Sequence, residues 1–167
     1  MKKLIFLFAL NLLLLPLKSQ TCSSCLVNIT NTDTLSYSVT TGQMFCIGDN
    51  GSFLGTITIN GGTVCVSGNF NPKNITFNSG SIINNGNISI NTSISLSTSF
   101  QVINNNSAIL NINGSMSLNS SNITNTGIIN VVNDINNSGT IINSNIINCL
   151  QLNGTGTLNN TGIINSN

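Results

Sequence analysis

The chain reads Ile103-Asn104-Asn105-Asn106-Ser107-Ala108-Ile109-Leu110-Asn111-Ile112 near its centre, and this block decides the fold because it recurs. It is preceded by Ile83-Asn84-Asn85-Gly86-Asn87-Ile88-Ser89-Ile90 and returns in looser form over residues 123–129 and 158–164. Repetition at a fixed period of roughly 20 residues is typical of solenoids, whose units bury their apolar faces only against their neighbours. The sequence therefore predicts a stack of similar coils.

The blocks have the alternation of β-strands. In Thr56-Ile57-Thr58-Ile59 and Ile88-Ser89-Ile90, apolar and polar residues take turns, so one side of each strand is apolar. Asn-Asn, Asn-Gly and Gly-Gly pairs separate the strands. We expect these pairs at corners, because Asn and Gly tolerate left-handed backbone angles.

The spacing of equivalent residues favours parallel over antiparallel strands. Successive equivalents are 19, 18, 20, 20, 19 and 16 residues apart, namely Cys46, Cys65, Ile83, Ile103, Ile123, Ile142 and Leu158. A sandwich of antiparallel hairpins would also use Asn-Gly corners, but it does not require this repeat. In a parallel β-helix, like residues stack one strand spacing apart, about 4.8 Å. We predict an all-β fold: a parallel β-helix (β-solenoid) with coils of about 20 residues and an N-terminal cap.

The Asn content follows from such stacking. The chain has 33 Asn, and an Asn at one corner of successive coils can hydrogen-bond the amides on either side, which satisfies buried polar groups. Exposed turn residues are the alternative explanation. We expect both kinds, with the inward ladder limited to one or two corners.

Residues 1–19 are predicted to be a secretory signal peptide. Two lysines precede an apolar run over residues 4–15, and cleavage is expected between Ser19 and Gln20. The run is shorter than the roughly 20 residues that a membrane-spanning helix needs. No transmembrane segment is therefore expected in the mature chain.

The rest of the chain is predicted to have two parts. Residues 20–43 lack the repeat, and we expect them to form the N-terminal cap that protects the edge strands of a solenoid. Residues 44–167 are predicted to form the coils. Because the repeat is still running at residue 167, we expect the coils to continue in a longer protein.

Five cysteines follow the predicted signal peptide, in a compartment where disulfides persist. We expect Cys22 and Cys25 to form a local disulfide rather than a zinc site, because the chain has no His and no second C-x-x-C. Cys46 and Cys65 are predicted to stack on adjacent coils. They are either bridged or two small inward-facing apolar residues. Cys149 is expected to be unpaired and buried.

Charge and residue types exclude several functions. After signal removal the chain retains one lysine, Lys73, and three aspartates, Asp33, Asp49 and Asp134, which gives a net charge of −2. The chain has no Arg, Glu or His. Nucleic acid is excluded as a partner because phosphate binding needs Lys or Arg, and anionic membranes are disfavoured for the same reason. Acid–base catalysis needs titratable groups within mutual reach, and these are dispersed. No catalytic, cofactor-binding or metal-ligating residue is predicted.

Two segments carry a resemblance to a known group of proteins. Following the Lys-Lys signal, Phe45-Cys46-Ile47 and residues 62–71 resemble the N-terminal region of secreted Bacteroidetes surface proteins. The Asn-Asn-x-Gly-x-Ile-x-Ile coils resemble the β-helix of the pectin-lyase-like superfold. The resemblance implies export, often by the type IX route, and an adhesin-like role at the surface. The 167 residues contain no sorting domain, and they lack the acidic and basic residues of pectin-lyase-type enzymes, which counts against lyase activity.

These observations favour a non-catalytic, secreted or cell-surface structural module with an adhesin-like role and no cofactor. Its expected partners are surface polysaccharides or other cell-surface proteins. A carbohydrate- or ice-binding solenoid is the first alternative, because outward rows of hydroxyls, such as those of Thr56 and Thr58, match regular polymers or lattices. A self-assembling fibre subunit that associates end to end is the second.

Overall fold

The structure is a computed structural model that describes residues 22–167. Every regular element in this range is a β-strand. The strands are β1 (Val27–Ile29), β2 (Thr32–Asp33), β3 (Ser36–Thr40), β4 (Met44–Ile47), β5 (Ser52–Phe53), β6 (Thr56–Val66), β7 (Asn69–Phe70), β8 (Asn74–Asn84), β9 (Asn87–Ile90), β10 (Ile94–Leu96), β11 (Gln101–Asn104), β12 (Ile109–Ile112), β13 (Met116–Leu118), β14 (Asn122–Asn125), β15 (Ile128–Val131), β16 (Ile135–Asn137), β17 (Thr140–Asn143), β18 (Ile146–Cys149), β19 (Leu152–Asn153), β20 (Thr157–Asn160) and β21 (Ile163–Ser166).

The strands form three parallel sheets, which we call faces A, B and C. Face A has the order β1-β4-β6-β8-β11-β14-β17-β20, with β3 also paired to β6. Face B has the order β2-β5-β7-β9-β12-β15-β18-β21, and face C the order β10-β13-β16-β19. Faces A and B take one strand from each successive coil, and face C takes one strand from each of four coils. The chain thus winds through about seven turns of roughly 19 residues. The predicted parallel β-solenoid is confirmed.

One apolar core runs the length of the stack. It is built from the inward-facing residue of each strand, so like residues lie on like residues from coil to coil. On face B this row is aromatic at first and then aliphatic, in the order Phe53, Phe70, Ile88, Leu110, Ile129 and Ile147, all at most 3% exposed. Burial of each such side chain contributes about 1.5–3 kcal/mol, and that burial exists only because a neighbouring coil covers it.

Asparagine forms an inward ladder at the corner between faces A and B. Its members are Asn84, Asn104, Asn125, Asn143 and Asn160, and the first four are at most 1% exposed. From each Nδ2 a hydrogen bond runs to the Oδ1 of the next Asn, with lengths of 2.8, 2.8, 2.7 and 2.8 Å. The predicted Asn ladder is thus present.

The ladder continues an apolar row. In the first three coils the same inward position holds Ile29, Ile47 and Val66, and Val66 pairs directly with Asn84. The interior corner therefore changes from apolar to amide at the fourth coil. An Asn is tolerated there because its amide finds partners in the coils on either side.

The predicted equivalences hold at five positions and fail at two. The observed outward row is Cys46, Cys65, Ile83, Ile103, Thr124, Ile142 and Asn159. Ile123 and Leu158 were expected in this row, but each lies one residue earlier and takes an inward position. The slip at Ile123 follows the corner over residues 105–108, which is longer than the corresponding corners of the neighbouring coils, for example 126–127. The slip at Leu158 lies in a later coil, where the residue equivalent to Ile142 is Asn159, 17 residues further on.

Corner chemistry also differs from the expectation. Left-handed backbone angles in the described range occur at four glycines and four serines, and at no asparagine: Gly42, Gly61, Gly80, Gly154, Ser24, Ser99, Ser107 and Ser120. Corner asparagines act through their side chains instead. The corner after Asn125 requires glycine because there is no space for a side chain. A Cβ on Gly127 would lie 2.4 Å from the carbonyl oxygens of Asn105 and Ala108.

The segment that we expected to be a distinct cap contributes a coil. β1 pairs with β4, β2 with β5 and β3 with β6, all in parallel register. Residues 27–40 are therefore the first turn of the solenoid, and the boundary expected at residue 43 lies inside the stack. The predicted signal peptide, its cleavage site at Ser19 and Gln20, and the first two residues of the expected cap lie outside the described residues.

Candidate functional site

Two disulfides tie the N-terminal segment to the side of the solenoid. Cys22 is bonded to Cys65 and Cys25 to Cys46, each pair with a Cα–Cα distance of 5.7 Å. The expected local disulfide between Cys22 and Cys25 is not formed, and Cys46 is not bridged to Cys65. Cys46 and Cys65 do stack in register on adjacent strands, and each reaches outward to one end of the C-x-x-C.

These cysteines lie outside the main core. Cys46, Cys65 and Ile83 form a separate buried cluster, with Met44 and Ile103 packed against it. Because Phe45 and Val64 point into the core, their neighbours Cys46 and Cys65 point away from it. Both alternatives for Cys46 and Cys65, a bridge between them and two inward-facing residues, are therefore wrong. The C-x-x-C segment covers the outer side of face A over the second to fourth coils.

The remaining cysteine behaves as expected. Cys149 is a free thiol, 7% exposed, and belongs to the main core. Burial, together with the negative charge of Asp134, raises the pKa of the Cys149 thiol, which keeps it protonated and unreactive.

Within residues 22–167, the titratable side chains of Asp33 and Tyr37 make a direct contact. The hydroxyl of Tyr37 donates a hydrogen bond of 2.9 Å to Oδ2 of Asp33, while Oδ1 accepts one of 2.7 Å from the backbone N–H of Leu35. The hydrogen bond to Asp33 raises the pKa of Tyr37, and burial and the negative charge of Asp33 add to the effect. This pair lies in the first coil and joins strands β2 and β3.

The other charged residues lie on separate coils. Asp49 follows β4, Lys73 precedes β8 and Asp134 precedes β16, so each belongs to a different corner. Residues 22–167 contain no group of three or more His, Cys, Asp or Glu that could hold a metal ion. Within the same range no helix is long and apolar enough to cross a membrane.

The outer side of face B carries the most regular surface of the described chain. Four successive coils present the same outward pair, an Ile followed two residues later by an Asn. These pairs are Ile109 and Asn111, Ile128 and Asn130, Ile146 and Asn148, and Ile163 and Asn165. Strand geometry sets the two periods of this Ile/Asn grid, about 4.8 Å along the stack and about 6.6 Å along each strand.

The Asn column of the grid is a second hydrogen-bonded ladder, on the outside. Nδ2 of Asn130 donates to Oδ1 of Asn111 at 2.8 Å, and Asn148 and Asn165 continue the chain at 2.7 Å each. Each link uses one N–H and one lone pair of an amide that has two of each. At least one donor and one acceptor per coil therefore remain outside the ladder, in side chains already held in place.

A groove runs beside this outer ladder, where face B turns toward face C. It has a volume of about 210 Å³ and is lined by five polar residues and by Ile90, Ile112 and the exposed Val132, and apolar atoms contribute most of its exposed lining. The polar lining residues are Ser89, Asn91, Asn111, Asn113 and Asn130. This groove and the Ile/Asn grid share Asn111 and Asn130, so together they form one continuous surface.

The hydroxyl rows singled out in the sequence are less regular. Thr56 pairs with Ser36 and Asn74, and Thr58 pairs with Ser38 and Thr76. The Ile/Asn grid was not predicted from the sequence. Its signal was present as the recurring quartet of Ile109-Leu110-Asn111-Ile112 and Ile128-Ile129-Asn130-Val131, in which the first and third residues face outward.

No protein-family model matches this chain, and comparison with curated proteins and with solved structures gave no match either.

Proposed function

We propose that this chain is a non-catalytic, adhesin-like structural module of a secreted or cell-surface protein. The observation that carries the proposal is the axial stack itself: three parallel sheets, one continuous apolar core and an internal amide ladder. Such a stack forms a stiff rod, because each coil is held by hydrogen bonds and burial against both neighbours. A rod displays repeated surface groups at a fixed distance from its attachment point.

The distribution of charge supports a non-catalytic role. The aspartates and Lys73 are separated by coils, and Asp33 and Tyr37 are joined in a structural hydrogen bond. General acid–base or nucleophilic chemistry needs two or more such groups converging on one point. Over the described residues the repeated surface groups are amides, hydroxyls and aliphatic side chains.

The two disulfides support an oxidising compartment. They are compatible with an extracellular location. We propose that the protein is exported by the signal peptide predicted over residues 1–19, in the manner of the Bacteroidetes surface proteins that the sequence resembles. The solenoid then projects from the cell.

Surface labelling tests this proposal. Lys73 is exposed and is the only lysine that remains after signal removal, so an impermeant amine-reactive biotin reports accessibility at that position. We expect Lys73 to be labelled on intact producing cells. Labelling only after the cells are broken would contradict a surface location, and a Lys73→Gln variant gives the background from the N-terminal amine.

A further inference from the structure

We propose that the groove beside the outer Asn ladder, together with the Ile/Asn grid, binds a neutral polysaccharide chain that lies along the solenoid axis. The inference rests on the proposed function and names its partner. Its first support is the charge of the surface: the residues that line the groove and build the grid are all uncharged. A charged polymer would gain no ion pair here and would lose hydration.

The second support is the hydrogen-bonding capacity of the surface. Asn130 and Asn148 each use one N–H and one acceptor lone pair within the outer ladder, and the end members Asn111 and Asn165 use only one of the two. Every amide of the ladder therefore retains at least one donor and one acceptor for a ligand. A sugar hydroxyl is both donor and acceptor, and so it complements such an amide. Because the ladder fixes the amide planes in advance, binding costs little side-chain entropy.

The third support is repetition and size. The groove volume of about 210 Å³ lies below the roughly 300 Å³ at which ordinary small-molecule pockets begin. One such site holds a single unit of a ligand. The same outward amide returns in four coils at about 4.8 Å, so a polymer with a comparable repeat engages several coils at once and gains by effective concentration.

The apolar parts of the surface have a place in this arrangement. Val132, 63% exposed, lines the groove, and the Ile column runs parallel to the ladder. These side chains can cover the C–H side of a sugar ring while the amides bind its edge. The aromatic rings of Phe45, Phe53, Phe70, Phe77 and Phe100 are buried in the core. Because these rings cannot stack on a bound sugar, we expect each sugar unit to bind weakly. The affinity for the polymer then depends on the number of coils that it contacts.

The area of face B argues against a second copy of the chain as the occupant. Strands of two to four residues across eight coils present at most about 440 Å², no more than about half of the roughly 800 Å² that each partner contributes to a stable protein interface. A polymer chain needs only the narrow strip along the ladder and the groove.

Co-sedimentation with insoluble cellulose, chitin, β-1,3-glucan and mannan, with polygalacturonate in affinity gels as the charged probe, tests the inference. We expect the secreted protein to bind at least one neutral polymer. Val132→Lys places a cation in the groove and should weaken binding at least tenfold. Ile142→Lys makes the same change on the outer side of face A, where Ile142 is 41% exposed, and should bind like the wild type. Circular dichroism and gel filtration verify that both variants fold.

Several results would overturn the inference: binding to none of the neutral polymers, tighter binding to polygalacturonate, or equal loss in both variants. Inhibition of ice recrystallisation that Val132→Lys abolishes would assign the surface to an ice lattice instead. Dimerisation through face B, seen by light scattering and lost in the same variant, would assign it to a second copy. Surface labelling of Lys73 is read separately, so a labelled protein that binds no polymer rejects this inference alone.

Discussion

Asn104 and Asn125 occupy the same interior position on successive coils, and Nδ2 of Asn104 donates a hydrogen bond of 2.8 Å to Oδ1 of Asn125. Asn125 in turn donates to Oδ1 of Asn143 and to the backbone carbonyl of Ile146, while its own Oδ1 also accepts from the N–H of Gly127. All four hydrogen-bonding positions of this amide are therefore filled. The interior corner is polar without an unsatisfied group.

Replacement of Asn125 by Leu should strongly destabilise the solenoid. The change removes four hydrogen bonds of the buried Asn125 amide, those with Asn104, Asn143, Gly127 and the carbonyl of Ile146, and each such bond contributes about 0.5–1.5 kcal/mol. We expect the free energy of unfolding, measured by urea denaturation, to fall by about 3–5 kcal/mol.

Asn122 provides the control, because it lies exposed on the outer side of the same strand, β14. Asn122→Leu should change stability by at most about 0.5 kcal/mol. Equal effects at the two positions would mean that the Asn ladder adds no stability to that provided by the stacked β-strands.

The register of β14 gives a second prediction. Ile123 is 1% exposed and points into the core, whereas Thr124 points outward. Ile123→Asn should therefore cost about 3–5 kcal/mol, since it removes core contacts and buries an amide without partners. Thr124→Asn should be close to neutral in the same denaturation experiment. A larger loss of stability in Thr124→Asn than in Ile123→Asn would contradict the observed register. It would support the register expected from the sequence, in which Ile123 is equivalent to Ile103.

That register shows where sequence reasoning succeeds and where it ends. The recurrence of Asn and Ile is sufficient to predict parallel coils and an amide ladder, because both follow from stacking like on like. The one-residue slips at Ile123 and Leu158 could not be predicted, because corners vary in length. Whether residues 105–108 form one long corner depends on how the neighbouring coils pack.

The candidate surface was predictable only in part. The outward Ile and Asn of face B can be read from the quartets once the register is known, but the groove beside them requires the turn from face B to face C. The disulfide pairing of Cys22 and Cys25 lay beyond the sequence, since four cysteines allow three connectivities. The choice among them depends on the path of the N-terminal segment over face A.

The pairing of these cysteines is the third prediction. Peptic digestion at low pH, which prevents exchange, should release one complex of three peptides in which the segment with Cys22 and Cys25 joins the Cys46 peptide to the Cys65 peptide. Fragmentation of that complex should assign the bonds as Cys22–Cys65 and Cys25–Cys46. A two-peptide complex of Cys46 with Cys65 would contradict the structure.

Loss of one of these bonds should lower stability. The Cys22–Cys65 disulfide spans 43 residues, and loop-closure entropy for that separation is about 4 kcal/mol. The variant with both Cys22 and Cys65 changed to Ser should unfold at a markedly lower urea concentration. Cys149→Ser leaves both disulfides intact and is the control for the loss of a buried thiol. An unchanged midpoint in the double variant would show that the segment over face A does not stabilise the coils.

Tyr37 offers a pH-dependent prediction, because it is the only Tyr in a chain without Trp. Its hydrogen bond to Asp33 raises its pKa above the ordinary 10.0. Folding thus favours the neutral phenol, so this contribution to stability is complete below pH 10 and is lost as the pH rises through the folded pKa. The midpoint of the pH titration, followed by absorbance at the tyrosinate band, should lie at a higher pH in the wild type than for free tyrosine. In Asp33→Asn the midpoint should lie at a lower pH than in the wild type. Asp49→Asn removes the same charge at a distant corner and should leave the titration unchanged. A shift of equal size in both variants would assign the effect to net charge rather than to the hydrogen bond that joins β2 to β3.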